Sequence, residues 1–413
     1  MCDSIGATGS AARAGVALFG KNSDRKPGEC QPFVQLPEAW HPPGASARCT
    51  HVEIEQVPHT RALMGHSPWW VWGLEHGVNA DAVAIGNHTV FSVEPLEDEP
   101  GLIGMDLVRL GLERAGTARE ALECIVELIA RHGQGGAALA PDGPGYHNSF
   151  LIADPQELWV LETSNRRYAA RRVEQGSCTN HLALGADWER ASAGVGDFAG
   201  ALRNPHIPAQ LTSGRERRAR ELLARGVGGH DLASFSRILR DHADFGASWR
   251  LGTAPEQEQH FTLCAHSDPV HRTTASLLCE LPREHARQRP WPVWISFGTP
   301  CTGIWLPVYL AAPLPACLAR GGPEAEADSA WWVFERLGAA VARDPERRTA
   351  ALRSDFAGLE REIERWRLEA EAAALEAQRC GDEHAAAKLL GGLMQRCADA
   401  ALARAADRIE EFS

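Results

Sequence analysis

Cys2-Asp3-Ser4-Ile5 follows the initiating methionine, and about twenty residues on stands Leu18-Phe19-Gly20-Lys21-Asn22-Ser23-Asp24-Arg25. The apolar residues 16–20 read as a strand, and the polar residues after them as a turn that sets Lys21 and Asp24 beside the first strand. Cys2 gains chemistry from its position. Removal of Met1 ahead of a small residue leaves Cys2 with a free α-amine next to its own thiol. Unperturbed, that amine has a pKa of about 7.7–8.0 and the thiol one of about 8.5, so proton transfer between them is nearly balanced. A nucleophile activated by its own N-terminal amine needs no catalytic histidine elsewhere. A carboxylate at Asp24 would hold the ammonium form of the amine, and a cation at Lys21 would favour the thiolate. Read without that context, Cys2 is an ordinary thiol and residues 21–25 are a solvated polar turn.

Working outward, the chain has 413 residues and is 44% hydrophobic, enough for one large core or two ordinary ones without disulfides or metals. Acidic residues outnumber basic ones by 54 to 42, the formal charge is -12, and no basic stripe is present. Nucleic acid is therefore not an expected partner. The apolar runs fall short of the roughly 18 residues of a membrane helix. Arg13 interrupts the weakly apolar start where a signal peptide would lie. A cytoplasmic protein with reduced thiols is expected. The eleven cysteines are scattered and form no Cys-x-x-Cys pair, so they read as small buried hydrophobes. Cys264-Ala265-His266 is at most half of a metal site. The histidines His66, His76, His147, His242, His266 and His271 have no recognisable ligand spacing, and neither a metal nor a cofactor is expected. Of the 42 basic residues only Lys21, Lys26 and Lys388 are lysine, two of them close to the N-terminus.

Residues 1–95 read as strands and turns, with short apolar or alternating runs at 16–20, 52–57 and 82–85. Ile103, Leu107, Leu110 and Leu112 then fit one helix, with Gly116 as its stop. Thr117-Ala118-Arg119-Glu120 reads as a capping box opening a second helix that carries Leu122, Ile125, Leu128 and Ile129. Strands return at 149–153 and 158–162, helices at 215–223 and 232–242, and strands again at 273–281 and 293–297. From Pro323 onward the chain is rich in Ala, Glu and Arg with a 3.6-residue period. Asp344-Pro345 supplies a cap and a first-turn proline, and Leu352, Phe356, Leu359, Ile363 and Trp366 fall on one face. Gly381-Asp382 breaks this helix and caps another carrying Leu390, Leu393, Cys397 and Leu402. Segregated blocks of strands and helices predict an α+β layered fold. Residues 2–322 form its main domain, and 323–413 form a helical hairpin packed on it or across a homo-oligomer interface.

Cys2-Asp3, then Phe19-Gly20-Lys21-Asn22-Ser23-Asp24-Arg25 and Glu29-Cys30-Gln31, resemble the opening of the secernins and the bacterial cysteine dipeptidases grouped with them. Trp72-Gly73-Leu74-Glu75-His76-Gly77-Val78-Asn79 with Ala84-Ile85-Gly86-Asn87 resembles a second block of that family. His147-Asn148-Ser149-Phe150 with Trp159-Val160-Leu161-Glu162-Thr163 resembles a third. Ile238-Leu239-Arg240-Asp241-His242, Arg272-Thr273-Thr274-Ala275-Ser276 and Thr299-Pro300-Cys301-Thr302 continue it in order, to about residue 310. The resemblance implies the four-layer αββα sandwich of an N-terminal-nucleophile hydrolase, related to bile-salt hydrolases and penicillin V acylases, with the helical extension at its C-terminus. It implies Cys2 as nucleophile and, through its amine, general base. Asp24 would bind that amine, and Lys21 stands where the acylases carry an arginine near the thiol. Asn87 and Asn180 would position the amine and the oxyanion. The arginine that the acylases bring from a helix corresponds to Arg217, with Arg215, Arg218 and Arg220 as alternatives. The chain departs from the family at Ala80-Asp81, where a glutamate-containing turn is expected, and at His88, where an acidic residue is common. Both departures bear on substrate contacts more than on the nucleophile, and the histidines become packing or substrate-lining residues.

The implied function is cysteine-type hydrolysis of an amide, a dipeptidase acting on a small peptide through an acyl-enzyme. An amidase or acyltransferase on an N-acyl compound, a metal-dependent peptidase and a non-catalytic secernin-like interaction protein are the alternatives.

Overall fold

Cys2–Ala7 (β1) and Val16–Arg25 (β2) pair antiparallel, with Cys2 opposite Ser23 and Ser4 opposite Lys21. Lys21 to Arg25 all lie within β2 and all are buried, so the expected polar turn is strand instead. The reason is that β2 is paired by β1 as far as Ser23 and by His271–Pro282 as far as Arg25, and its polar side chains face neighbouring layers rather than water. Successive side chains of a strand alternate between faces, so Lys21 and Asp24 point to opposite sides of the sheet.

The computed structural model describes residues 1–413 except 14–15, 209–212, 244–261, 269 and 284–288. After β1 and β2 come β3 (Phe33–Leu36), β4 (Ala39–Trp40), β5 (Ser46–Arg48), β6 (Glu53–Glu55), β7 (His59–Thr60), β8 (Leu63–His66), β9 (His76–Asn79) and β10 (Ala84–Val90). The later strands are β11 (His147–Ala153), β12 (Leu158–Ser164), β13 (Arg167–Val173), β14 (Gln175–Cys178), β15 (Arg190–Ala191), β16 (His266–Ser267), β17 (His271–Pro282), β18 (Val293–Phe297) and β19 (Leu306–Val308). One sheet has the order β14-β1-β2-β17-β18-β19, with β16 added on β17, and the other β15-β13-β12-β11-β10-β9-β8-β3. The pairs β4–β7 and β5–β6 stand apart. The helices are α1 (Gly104–Arg114), α2 (Ala118–His132), α3 (Phe198–Leu202), α4 (Ser213–Arg225), α5 (Leu232–Leu239), α6 (Ala316–Ala319), α7 (Ala330–Val341), α8 (Pro345–Arg379) and α9 (Glu383–Phe412).

Alternation along the strands builds the layers. Ile5, Leu18 and Leu278 meet Ala219, Leu223, Phe235 and Leu239 of α4 and α5 on the outer face of the first sheet. Phe19 and Leu277, next to Leu18 and Leu278 in their strands, face inward and pack with Leu151, Leu158 and Val160 of the second sheet. Ile85, Phe150, Ile152 and Leu161 meet Leu107, Leu110, Leu122 and Ile125 of α1 and α2 on the far side. The result is the expected αββα sandwich. Thr117 caps α2 by accepting from the Glu120 N–H at 3.1 Å, but Glu120 reaches back to the Gly116 N–H at 2.7 Å, one residue short of a closed capping box.

In the C-terminal part, Leu352, Phe356, Leu359, Ile363 and Trp366 are all buried along α8. Gly381 makes the turn with φ +79°, where a Cβ would be strained, and Asp382 caps α9 through the Ala385 N–H at 2.8 Å. Asp344 precedes Pro345 as expected but makes no capping bond with its side chain. The hairpin shares one core with the sandwich, Leu390 and Met394 packing with Leu306, Val308 and Tyr309. Among the described residues no helix is long and apolar enough to cross a membrane.

Candidate active site

Cys2 begins β1, and its nitrogen and its sulfur are held by different partners. The Cys2 N–H donates to Asn180 Oδ1 at 2.9 Å, while Sγ lies 3.7 Å from Glu75 Oε2. Asn180 follows β14, the other neighbour of β1, and its amide nitrogen donates to the Thr89 carbonyl of β10 at 2.8 Å. One side chain thus ties the two sheets together and turns its oxygen to Cys2. Met1 extends the β1–β2 ladder by one residue: its ammonium donates to the Asp24 carbonyl at 3.1 Å, and the Asp24 N–H donates to the Met1 carbonyl at 2.9 Å.

The inner face of β2 supplies charge. Lys21 Nζ lies 3.3 Å from Glu75 Oε2, and Arg25 reaches Glu75 Oε1 at 3.2 Å. Arg25 also pairs with Glu29, which accepts from Trp70 Nε1 at 3.0 Å. The Lys21 stem runs over Gly86, where a Cβ would come within 2.5 Å of its Cδ, so this glycine is required by the close approach. Asn87, next in β10, has its side-chain amide 3.1 Å from Glu75 Oε2 and 3.3 Å from Asn148 Oδ1. Burial pushes the Cys2 thiol up, with Lys21 opposing and Glu75 adding to the rise, so the thiol of the Met1-bearing chain rests protonated. Burial also works against the Glu75 carboxylate, but Lys21 and Arg25 more than offset it and hold its pKa below the usual range.

The outer face of β2 supplies the carboxylates. Asp24 Oδ1 accepts from Thr273 Oγ1 at 2.7 Å, and Oδ2 lies 3.8 Å from Arg215. Among the described residues Asp24 Oδ2 has no hydrogen-bond donor, although it is buried beside the chain's N-terminus. Burial raises Asp24 to about 7, against the pull of the N-terminal ammonium. Arg215 bonds to Asp3 and donates to Asn180 Oδ1 at 2.5 Å, so Asn180 Oδ1 accepts from both Cys2 and Arg215.

Lys21, Asp24, Asn87 and Asn180 therefore gather around Cys2, on two faces of one sheet rather than in a turn. Arg217 does not: it is exposed, and the buried arginine is Arg215. Helical periodicity explains the correction. Arg215 shares a face with Ala219 and Leu223, four and eight residues on, whereas Arg217 lies about 200° round the helix. Arg218 pairs with Asp241 at 2.8 Å, and Arg220 with Glu216 at 2.8 Å, away from Cys2. Glu75, Asp3, Arg25 and Glu29 stand in the motifs without an expected role. Their signal was a charge inside apolar or strand-like sequence, which burial obliges to find a partner.

The histidines divide. His88 bridges the sheets, Nε2 to Ser4 Oγ at 2.7 Å and Nδ1 to the Ser149 carbonyl at 3.2 Å, and His66 bonds His76 at 2.8 Å. Burial holds all three neutral. His242 and His266 instead meet Cys264 and Cys301 in a buried group whose ligand atoms all lie within 4.8 Å of one another. Cys264 and Cys301, expected as isolated small hydrophobes, thus lie beside two histidines.

Among solved structures, the chain is similar to a mutant conjugated bile acid hydrolase from Clostridium perfringens, with TM-score 0.45 and 14% identity over 72% of this chain and 89% of that one. It is also similar to a Caenorhabditis elegans N-acylethanolamine-hydrolyzing acid amidase ortholog, with TM-score 0.38 and 12% identity over 69% and 94%. Residues 74–183, which run from just before Glu75 past Asn180, match the model of peptidase family C69, the secernin and dipeptidase group that the motifs of this chain resemble.

Proposed function

We propose that this protein is a cysteine-type amide hydrolase, most specifically a dipeptidase, with Cys2 as nucleophile and the α-amine of Cys2 as general base once Met1 is removed. The observation that carries this reading is the separate anchoring of one residue's nitrogen and sulfur. Asn180 Oδ1 holds the nitrogen at 2.9 Å, and Glu75, itself paired to Lys21, holds the thiol. The amine takes the thiol proton, and the thiolate attacks the amide carbonyl. Backbone N–H groups and the amide of Asn180 or Asn87 hold the oxyanion, the amide nitrogen exchanging its resting acceptor, the Thr89 carbonyl or Asn148 Oδ1, for it. The α-ammonium, held by Asp24, protonates the leaving amine and so becomes a base again. It then activates water to release the acyl group from Cys2. Lys21 opposes the cost of a thiolate in a buried site. Peptide rather than N-acyl substrates are assigned on the strength of the motifs and the family match.

The test is intact mass of the purified full chain, with dipeptide hydrolysis measured for wild type and Cys2→Ala in parallel. Loss of the Met1 mass and turnover by wild type alone are expected. Equal behaviour of the two proteins would remove the enzymatic role and favour a secernin-like interaction protein. Turnover of N-acyl amino acids without dipeptides would move the substrate class to the acylases.

A further inference from the structure

His242, Cys264, His266 and Cys301 come from three separate segments: the end of α5, the approach to β16, and the turn between β18 and β19. All four are buried, none exceeding 8% exposure. His266 Nε2 is the centre of the group, 3.2 Å from His242 Nε2, 3.3 Å from Cys301 Sγ and 3.5 Å from Cys264 Sγ. One ring nitrogen carries either one proton or one in-plane lone pair, so it can make one good hydrogen bond, not three at once. His66 and His76 show the contrast, meeting at 2.8 Å as a hydrogen-bonded pair does. Ligands of a tetrahedral zinc, at about 2.0–2.1 Å for nitrogen and about 2.3 Å for sulfur, stand roughly 3.3 Å apart for N···N and roughly 3.6 Å for N···S. The three contacts of His266 Nε2 match that spacing.

We propose that these four residues form a zinc site, independent of the chemistry at Cys2. Two sulfurs and two imidazoles are the donor set of zinc rather than of magnesium or calcium. Binding releases the two thiol protons, and two thiolates with one Zn2+ sum to zero charge, which suits a buried position. Four protein ligands close the coordination sphere, so the ion holds structure and leaves no place for a substrate. What it holds is definite. Ala265, between two of the ligands, donates its N–H to Thr273 Oγ1 at 3.0 Å, and Thr273 Oγ1 donates to Asp24 Oδ1 at 2.7 Å. The Cys264 N–H donates to the Asp241 carbonyl at 3.1 Å, and Arg240 Nε donates to the Pro300 carbonyl at 2.8 Å, so backbone near three of the ligands is already joined.

The experiment is elemental analysis of the full chain purified from zinc-supplemented cells without chelator, together with absorption spectra of protein produced in cobalt. One zinc per chain is expected, with the visible bands of tetrahedral cobalt and a thiolate-to-cobalt charge-transfer band in the near ultraviolet. Cys301→Ser should lose the metal, while Cys279→Ser, a buried cysteine outside the group, should keep it. Sub-stoichiometric zinc in wild type, a cobalt spectrum without thiolate bands, or a Cys264–Cys301 disulfide in the intact mass would overturn the site. Should Cys301→Ser fail to fold, the wild-type zinc count and cobalt spectrum still decide.

Discussion

Cys2 and Cys301 are both buried thiols set among ionisable neighbours, and they differ in what those neighbours are. Around Cys2 stand formal charges, Lys21, Glu75 and Arg25, arranged as ion pairs, and among the described residues the sulfur bonds to Glu75. Around Cys301 stand soft donors, His266, His242 and Cys264, all drawn towards one point. Charges at a distance tune a thiol's reactivity without occupying it. Soft donors at ligand spacing occupy it. The same residue type thus serves attack in one layer and cohesion in another, and the partner set decides which.

The largest effects should separate the two thiols completely. Cys2→Ala is expected to abolish dipeptide turnover and leave the zinc content at one per chain. Cys301→Ser is expected to remove the zinc and keep a Cys2 that still labels with thiol reagents in the folded fraction. If Cys2→Ala also lost the metal, the two centres would not be independent and the comparison would fail.

Next in size is the arginine of α4. Arg215 is 1% exposed and faces Asp3 and Asp24. Removing one member of a buried ion pair costs about 3–5 kcal/mol because the other charge is left uncompensated. Arg215→Ala should therefore shift the urea midpoint strongly, whereas exposed Arg217→Ala should stay within about 0.5 kcal/mol of wild type. Equal shifts would mean that the carboxylates on the outer face of β2 do not depend on Arg215.

These residues also show what the sequence made legible. The motif from Phe19 to Arg25 marked Lys21 and Asp24, and with Cys2, Asn87 and Asn180 they do converge. Their placement on opposite faces was hidden, because a polar run reads as a turn unless the pairing of β2 on both edges is known. Arg215 was legible in principle, since it continues the apolar stripe of Ala219 and Leu223, but four arginines in six residues blurred the choice. Glu75 lies in the Trp72–Asn79 motif, whose sequence gives it no role, and only contact with Cys2, Lys21 and Arg25 supplies one. The second cluster was least legible. Its ligands come from three segments brought together by sheet topology, and spacing along the chain carries no trace of that.

Asn180 is the next test, because it touches the nitrogen of Cys2 and both sheets at once. Asn180→Ala should lower turnover at least about a hundredfold, on the order of 3–4 kcal/mol of barrier, with the fold retained. The zinc content should not change. Near-normal turnover would show that the Cys2 nitrogen keeps its position without the amide.

The smallest expected effect concerns Lys21, one of three lysines in an arginine-rich chain. Its ammonium is wholly buried and meets Glu75 as a compact point charge, while Arg25 already presents the planar fork to the same carboxylate. Lys21→Arg would put two guanidinium groups on one glutamate and lengthen a side chain whose stem lies against Gly86. Charge is conserved, so the thiolate keeps its counter-ion. A fall in kcat/KM of no more than about tenfold, ~1.4 kcal/mol, is expected, with zinc unaffected. Unchanged turnover would mean that the site asks only for a positive charge near the sulfur and that the lysine itself carries no information. A much larger loss, with the fold intact, would mean that the size of the cation is part of how Cys2 is tuned, and would sharpen the contrast with Cys301, whose sulfur meets His266 and Thr299 among the described residues.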